Sequence, residues 1–307
     1  MNLGSPGLAV AEFPSLGRGE RSFESFIFMR DASEQILPTW ERGKERVRPA
    51  VTLVPASEEL TAWLIDLLEP FGRGGRDELT ELVSSFCDVV ASRLIRRGET
   101  YLEVVPGEAD SDRPAQLVVL PAWIVRRVPG GYLQLVPSAD RPLVGRRWTR
   151  IPSGRMLRIK LPSSLGSPRA HRRLVRRMDR IPGRPPEWAV EGWGIWGKPT
   201  KFDYAAFDRA QRLEVERALA RWGSMTYGHT ERKTDYFQIS RMLLNFRARA
   251  ELRDAALGAL NHLIASTGSD VRINCTGLPD AADIDTGLAK LWAGELPLSE
   301  GLTIAGM

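Results

Sequence analysis

An α+β fold is predicted by three observations: two adjacent helical patterns over 57–97, a series of short strand patterns over 100–161, and long helical patterns beyond residue 203. No connection between successive strand patterns leaves room for a crossover helix, so they predict one small antiparallel sheet. The 307 residues, 34.2 kDa, suffice for one large core or two ordinary domains. At 43% hydrophobic and 26% charged residues, the composition is that of a globular chain, which excludes wholesale disorder.

In chain order, residues 1–20 are rich in Gly, Pro and Ser and predict an arm without fixed structure. Residues 22–29 are a short apolar element, and 30–56 read as irregular, with Pro38, Pro49 and Pro55 as breakers. Ser57 is a helix cap. After it come Glu58 and Glu59, then Leu60, Trp63, Leu64, Leu67 and Leu68 at three-to-four spacing, and the pattern stops at Pro70 and Gly72. A second helix over 77–97 places Leu79, Leu82, Val83, Phe86, Val89, Val90 and Leu94 on one face and ends at Gly98. The period then shortens to two over 100–105, 116–120, 123–128, 132–136 and 156–161. Helical spacing returns over 204–222 and 236–266, the latter long enough to invite a break, with Asn245, Arg247, Arg249, Glu251, Arg253 and Asp254 facing away from Phe246, Ala250, Leu257, Leu260 and Ile264 only approximately. A strand over 271–278, a helix over 283–291 and a further short helix over 298–304 complete the pattern. The segments expected are 1–56 (arm and irregular stretch), 57–165 (helix pair plus sheet), 166–269 (basic segment, Trp-rich loop and long helices) and 270–307 (acidic end).

Several classes of function are set aside early. Apolar runs are broken by Arg, Glu or Pro well short of the roughly 20 residues a membrane helix needs, and the first residues lack the basic head and apolar run of a signal peptide. No membrane association and a cytoplasmic setting are expected. Cys87 and Cys275 form neither a disulfide framework nor a metal quartet and read as small buried hydrophobes. His171 stands among cations, while His229 and His262 have no second histidine three or four residues away. No nucleophile, phosphate-loop or zinc motif is present, so no catalytic residue, metal site or cofactor is predicted, and the chain reads as a non-enzyme. The acids Asp280, Asp283 and Asp285 lack the glycine and closing glutamate of a calcium loop and read as caps and dipole partners. Gly72–Arg76 is glycine-rich but follows no strand, so it reads as a turn.

Charge carries the functional signal. Of 43 basic residues six are Lys (44, 160, 198, 201, 233 and 290), which leaves 37 Arg, the side chain suited to bidentate contact with phosphate and carboxylate. Residues 141–185 hold 14 basic side chains against one acid, Asp179. Within that window Arg169, Arg172, Arg173, Arg176, Arg177 and Arg180 recur at helical spacing, which predicts one basic stripe. Three readings of the stripe are open: a contact to nucleic-acid backbone, a contact to another subunit, or a solvated face. Residues 182–202 follow, with Trp188, Trp193 and Trp196 among prolines and glycines. A solvated linker has no use for three tryptophans, so the segment reads either as an ordered loop pinned by them or as one that orders only against a neighbour, and the three are candidates for packing against a neighbouring subunit or an inner loop. The end of the chain reverses sign, with Asp270, Asp280, Asp283, Asp285, Glu295 and Glu300 against Arg272 and Lys290. A basic middle and an acidic end fit head-to-tail contact between copies and, on charge alone, fit two solvated faces equally well.

Two stretches resemble the portal proteins of tailed bacteriophages. LVSSFCDVVASRLIRRGETYLEVVPG (82–107) and QLVVLPAWIVRRVPGGYLQLV (116–136) are similar to the portal wing: a helix, a glycine, an aromatic-containing strand, a strand reaching Leu-Pro and a further strand pair. MLRIKLPS (156–163) stands where portals carry a strand before a loop and helix. ADIDTGLAKLWAGELPLSEGLTIAG (282–306) resembles a portal segment in which an Asp begins one helix and a Gly-to-Ser turn starts the next, although Gly294 and Ser299 are spaced more widely here. Together the stretches cover about a third of the chain. The chain is shorter than most portals, which implies a reduced peripheral part.

The resemblance implies a portal-like α+β fold with wing and stem-like helices, and a homo-oligomeric ring of twelve copies at a capsid vertex. It implies a virion protein, made in the host cytoplasm, that passes double-stranded DNA during packaging and ejection. The implied partners are the major capsid protein, terminase and a head-tail adaptor. The alternative class is a non-sequence-specific nucleic-acid-binding protein of a mobile element, which would bind DNA as a free subunit with steep salt dependence.

Overall fold

In a computed structural model, which describes residues 28–29, 32–33, 36–37, 50–72, 78–106, 114–178, 213, 220–223, 234–297 and 300, the chain forms two units. Unit one is drawn from Met1–Arg18, Gln35–Pro162 and Arg249–Leu278; unit two comprises Gly19–Glu34, Ser163–Ala248 and Pro279–Met307. The described elements begin with β1 (Ala50–Val54), α1 (Glu58–Leu68), α2 (Leu79–Arg97), β2 (Glu99–Pro106), β3 (Pro114–Pro121), β4 (Val125–Val128) and β5 (Gly131–Leu135). They continue with the short α3 (Arg141–Val144), β6 (Trp148–Pro152), β7 (Met156–Lys160), α4 (Pro168–Met178), α5 (Asp235–Ser266), β8 (Arg272–Thr276) and α6 (Ala281–Trp292).

The helix pair of unit one follows its sequence signals. The Ser57 hydroxyl accepts the Leu60 N–H at 3.3 Å, and Leu60, Leu64, Leu67 and Leu68 of α1 are buried. A single 3₁₀ turn, Glu69–Phe71, ends the element at the proline. In α2 the residues Leu82, Val83, Phe86, Val90 and Leu94 are buried, and Gly98 closes the helix in the left-handed region at φ +74°, its N–H returning to the Leu94 carbonyl. Cys87 is fully buried in the same face, and burial pushes its thiol pKa far up. Phe71 meets Phe86 edge-on at 5.3 Å.

The strands depart from the single sheet that their patterns predict. Among the described residues they form three antiparallel sheets, ordered β1–β8, β3–β2–β7 and β4–β5–β6. After β3 the chain turns tightly, the Ile124 N–H bonding to the Pro121 carbonyl at 3.1 Å, and so leaves the first sheet for another. The inward residues of both, including Tyr101, Val118, Leu120, Ile124, Val125, Ile151 and Met156, then share one core. Two strands lie in regions read as irregular or merely basic. In β1 the alternation of exposed and buried positions puts Val51 and Leu53 inside, opposite Cys275 and Ile273, and Pro49 and Pro55 flank the strand instead of breaking it. In β6 Ile151 is the fully buried position, while Trp148 packs under the Arg126 guanidinium, 4.7 Å from the ring centre.

The α5 helix is continuous over 32 residues, without the break that its length invites. Thr234 caps it through its hydroxyl to the Phe237 N–H at 3.4 Å, and Gly268 at φ +80° follows its end. Asn245 and Arg253, placed only approximately away from the apolar side by their spacing, are buried, as is Arg241. The helix buries residues all around its circumference, so no one-sided polar stripe survives. No helix among the described residues is long and apolar enough to cross a membrane.

Candidate functional site

The basic helix of unit two is built by its start. Ser167 accepts the Ala170 N–H on its hydroxyl at 3.2 Å and the His171 N–H on its carbonyl at 2.9 Å, and Pro168 supplies a first residue with no N–H to satisfy. Helical spacing then sorts α4 into two faces. His171, Val175 and Met178 are buried; Arg169, Arg172, Arg173, Arg176 and Arg177 take the other side. Arg169, Arg173, Arg176 and Arg177 are exposed, and the half-buried Arg172 donates from Nε to the Pro168 carbonyl at 3.2 Å. All five line one open cavity of about 560 Å³. They fall within nine residues, eight steps or about 12 Å of helix, with no acid among them. Such a wall attracts phosphate or carboxylate without reading a sequence.

The buried face of α4 meets an aromatic cluster. The His171 ring lies 5.3 Å from that of Trp222 and 6.3 Å from that of Phe28, while Phe28 and Trp222 meet edge-on at 5.5 Å. Trp222 is 1% exposed, and its indole N–H has no hydrogen-bond partner among the described residues. Its carbonyl accepts the Asn245 side-chain N–H at 3.4 Å, which ties this segment to α5. A second cavity, about 380 Å³, has an apolar side at Leu165, Leu174 and Trp222 and shares Arg173 and Arg177 with the first.

The acidic helix α6 packs along the first half of α5. The Asp280 carboxylate accepts the Asp283 N–H at 2.7 Å and caps α6, as the sequence predicts for this group of acids. Asp285 pairs with Arg247, and seven residues on, Trp292 donates its indole N–H to the Ser240 hydroxyl at 3.0 Å. Ser240 and Arg247 are also seven apart and run in the opposite order, so the helices are antiparallel with matched turns.

Of the predicted contact residues, the structure brings Arg169, Arg172, Arg173, Arg176 and Arg177 together. Arg180, Trp188, Trp193 and Trp196 lie outside the described residues, as does most of the helical pattern over 204–222. Sequence reasoning did not find the Phe28–His171–Trp222 cluster, whose members are distant in the chain, nor the exposed Trp292. Among the described residues no three His, Cys, Asp or Glu side chains converge on a possible metal position. In unit one burial pushes the Glu103 carboxyl pKa up, opposed by Arg155 at 3.6 Å, and the Glu99 carboxylate holds the Arg158 guanidinium above its ordinary range.

No family model matches the sequence, and no curated protein matches it. Among solved structures the chain is similar to one from the "Neck of native GTA particle computed with C12 symmetry", at 14% identity and a TM-score of 0.49 over 98% of each chain. A likeness of that size assigns neither a function nor an assembly.

Proposed function

We propose that this chain is a portal-type ring subunit, set at a capsid vertex, through which DNA is packaged and ejected and to which terminase, capsid protein and tail components dock. The observation that carries the reading is the folded order of the portal-like stretches. Helix α2 passes through Gly98 directly into β2, β3 returns to Leu120-Pro121 beside it, and β7 pairs on its other edge before a loop and the basic helix α4. The role is mechanical and needs neither a cofactor nor a catalytic residue. A closed ring of twelve requires two unlike surfaces on each copy, and the arginine wall of α4 with the acidic end of the chain supplies unlike surfaces.

Mass photometry with negative-stain imaging of the purified protein tests this reading. Twelve copies of a 34.2 kDa chain form a particle of about 410 kDa with a central hole. A monomer or dimer at high concentration, persisting on co-expression with the capsid protein of the same element, overturns it.

The arginine wall favours one further reading, a non-sequence-specific nucleic-acid-binding protein of a mobile element. Five phosphate contacts give a slope of log K against log salt of about −4 to −5 for free subunits. A flat salt series excludes that reading.

A further inference from the structure

Two large aromatic side chains of unit two face water although one of them is held in place. Trp292 is 57% exposed while its N–H is bonded to Ser240, and Tyr236, one turn before Ser240 on the same face of α5, is 41% exposed. A pinned, exposed tryptophan loses little freedom on docking, and Trp and Tyr are the side chains that dominate interface energetics. Exposed acids stand beside both: Asp235 precedes Tyr236, and Glu295 follows Trp292 by three residues.

The complement is on the same unit. Arg169, Arg173 and Arg176 of α4 are exposed, and no described carboxylate pairs with them. The two surfaces also point in different directions. The arginines of α4 lie roughly opposite His171, Val175 and Met178, the face turned toward Trp222. On α5, Arg241 and Asn245 meet the Trp222–Gly223 segment, whereas Tyr236, Ser240 and Arg247 lie roughly 120–160° around the helix from that direction. One copy therefore cannot join its own two patches, and a contact between them runs from copy to copy.

We infer that the Tyr236–Trp292 surface of one copy receives the arginine face of α4 from the next. Guanidinium groups stack on the indole and phenol rings, while Asp235 and Glu295 meet their charge. The same stacking already occurs within the chain, where Arg126 covers Trp148. Because the two patches differ, the contact is heterologous and propagates to a ring or a filament. This inference rests on the ring reading for closure, not for the contact itself.

The test uses two full-length proteins, Arg176→Cys and Glu295→Cys, each also carrying Cys275→Ser, mixed under oxidising conditions. A mixed disulfide that forms when both are present, and not with either alone, is expected. Trp292→Ala and the double variant Arg173→Glu, Arg176→Glu should each raise the concentration needed for assembly at least tenfold, and adding Glu295→Arg to the double variant should recover part of the loss. A ring of wild-type mass that gives no mixed disulfide overturns this contact and leaves the ring reading intact. Cross-linked chains that never close into a ring overturn the portal reading and leave the contact intact. Charge-reversed protein that assembles normally but loses DNA binding assigns α4 to DNA and overturns the contact.

Discussion

Gly223 sits against the Arg241 carbonyl oxygen so closely that a β-carbon on the glycine would overlap it, and the same β-carbon would come within 2.5 Å of the Asn245 backbone nitrogen. Gly223 also adopts φ +57°, a conformation that costs a residue with a side chain. The turn after Trp222 thus rests on the backbone of α5 and admits no side chain. Gly223→Ala is expected to lose about 2–4 kcal/mol of stability, read as a lower denaturation midpoint; a midpoint matching wild type would show that α5 moves aside freely.

Trp222 packs against both Phe28 and His171, and its buried N–H makes no hydrogen bond among the described residues. Trp222→Ala should cost about 3–5 kcal/mol through cavity formation. Trp222→Phe keeps part of the ring contact and discards the unpaired donor, so it should cost less than half as much. Thermal melts of the two variants side by side check the order, and an equal loss would contradict it.

Glu103 gives a pH dependence with a definite sign. Burial raises its folded-state pKa above the unfolded value, so the folded chain holds the proton to higher pH. Its contribution is therefore most favourable below the ordinary glutamate range and is lost as pH rises through the raised folded value. Glu103→Gln should stabilise the protein at pH 8 relative to wild type, with the difference closing as pH falls to 4. Urea midpoints at both values test this; a gap that widens toward acid would mean that the Arg155 pair outweighs burial.

The two thiols should differ in reactivity. Cys87 is fully buried with its pKa pushed up, and Cys275 on β8 is half-buried with a smaller upward push from the same cause. Alkylation of native protein at pH 8 should modify Cys275 slowly and leave Cys87 untouched, whereas denatured protein takes two labels. Mass spectrometry of the tryptic peptides distinguishes them, and a label on native Cys87 would show that α2 opens.

Local signals were legible wherever a side chain declares a boundary by itself. Ser57 and Gly98 mark their helix ends, and the spacing of Arg169, Arg172, Arg173, Arg176 and Arg177 announces the basic face before any fold is known. What escaped was set by partners far along the chain. Val51 and Leu53 alternate correctly for a strand, yet the prolines on either side read as breakers until β8 is seen to pair with them. Trp148, Thr149 and Arg150 offer no apolar alternation, because β6 has one fully buried position. Asn245 and Arg253 look like surface residues on α5 because nothing local indicates that the helix is covered on that side. The Tyr236–Trp292 surface was invisible for the same reason: each aromatic residue, taken alone, reads as core.

The pairing of β1 with β8 also bears on how the chain is made. Ala50 accepts a hydrogen bond from Thr276, 226 residues later, so β1 waits for its partner strand until those residues have been synthesised. At synthesis rates of about 5–20 residues per second that interval is roughly 10–50 s. During it the edge of β1 is open to other nascent chains on the same messenger, and shielding by a chaperone, or slow initiation that keeps ribosomes far apart, would raise the yield of folded subunits.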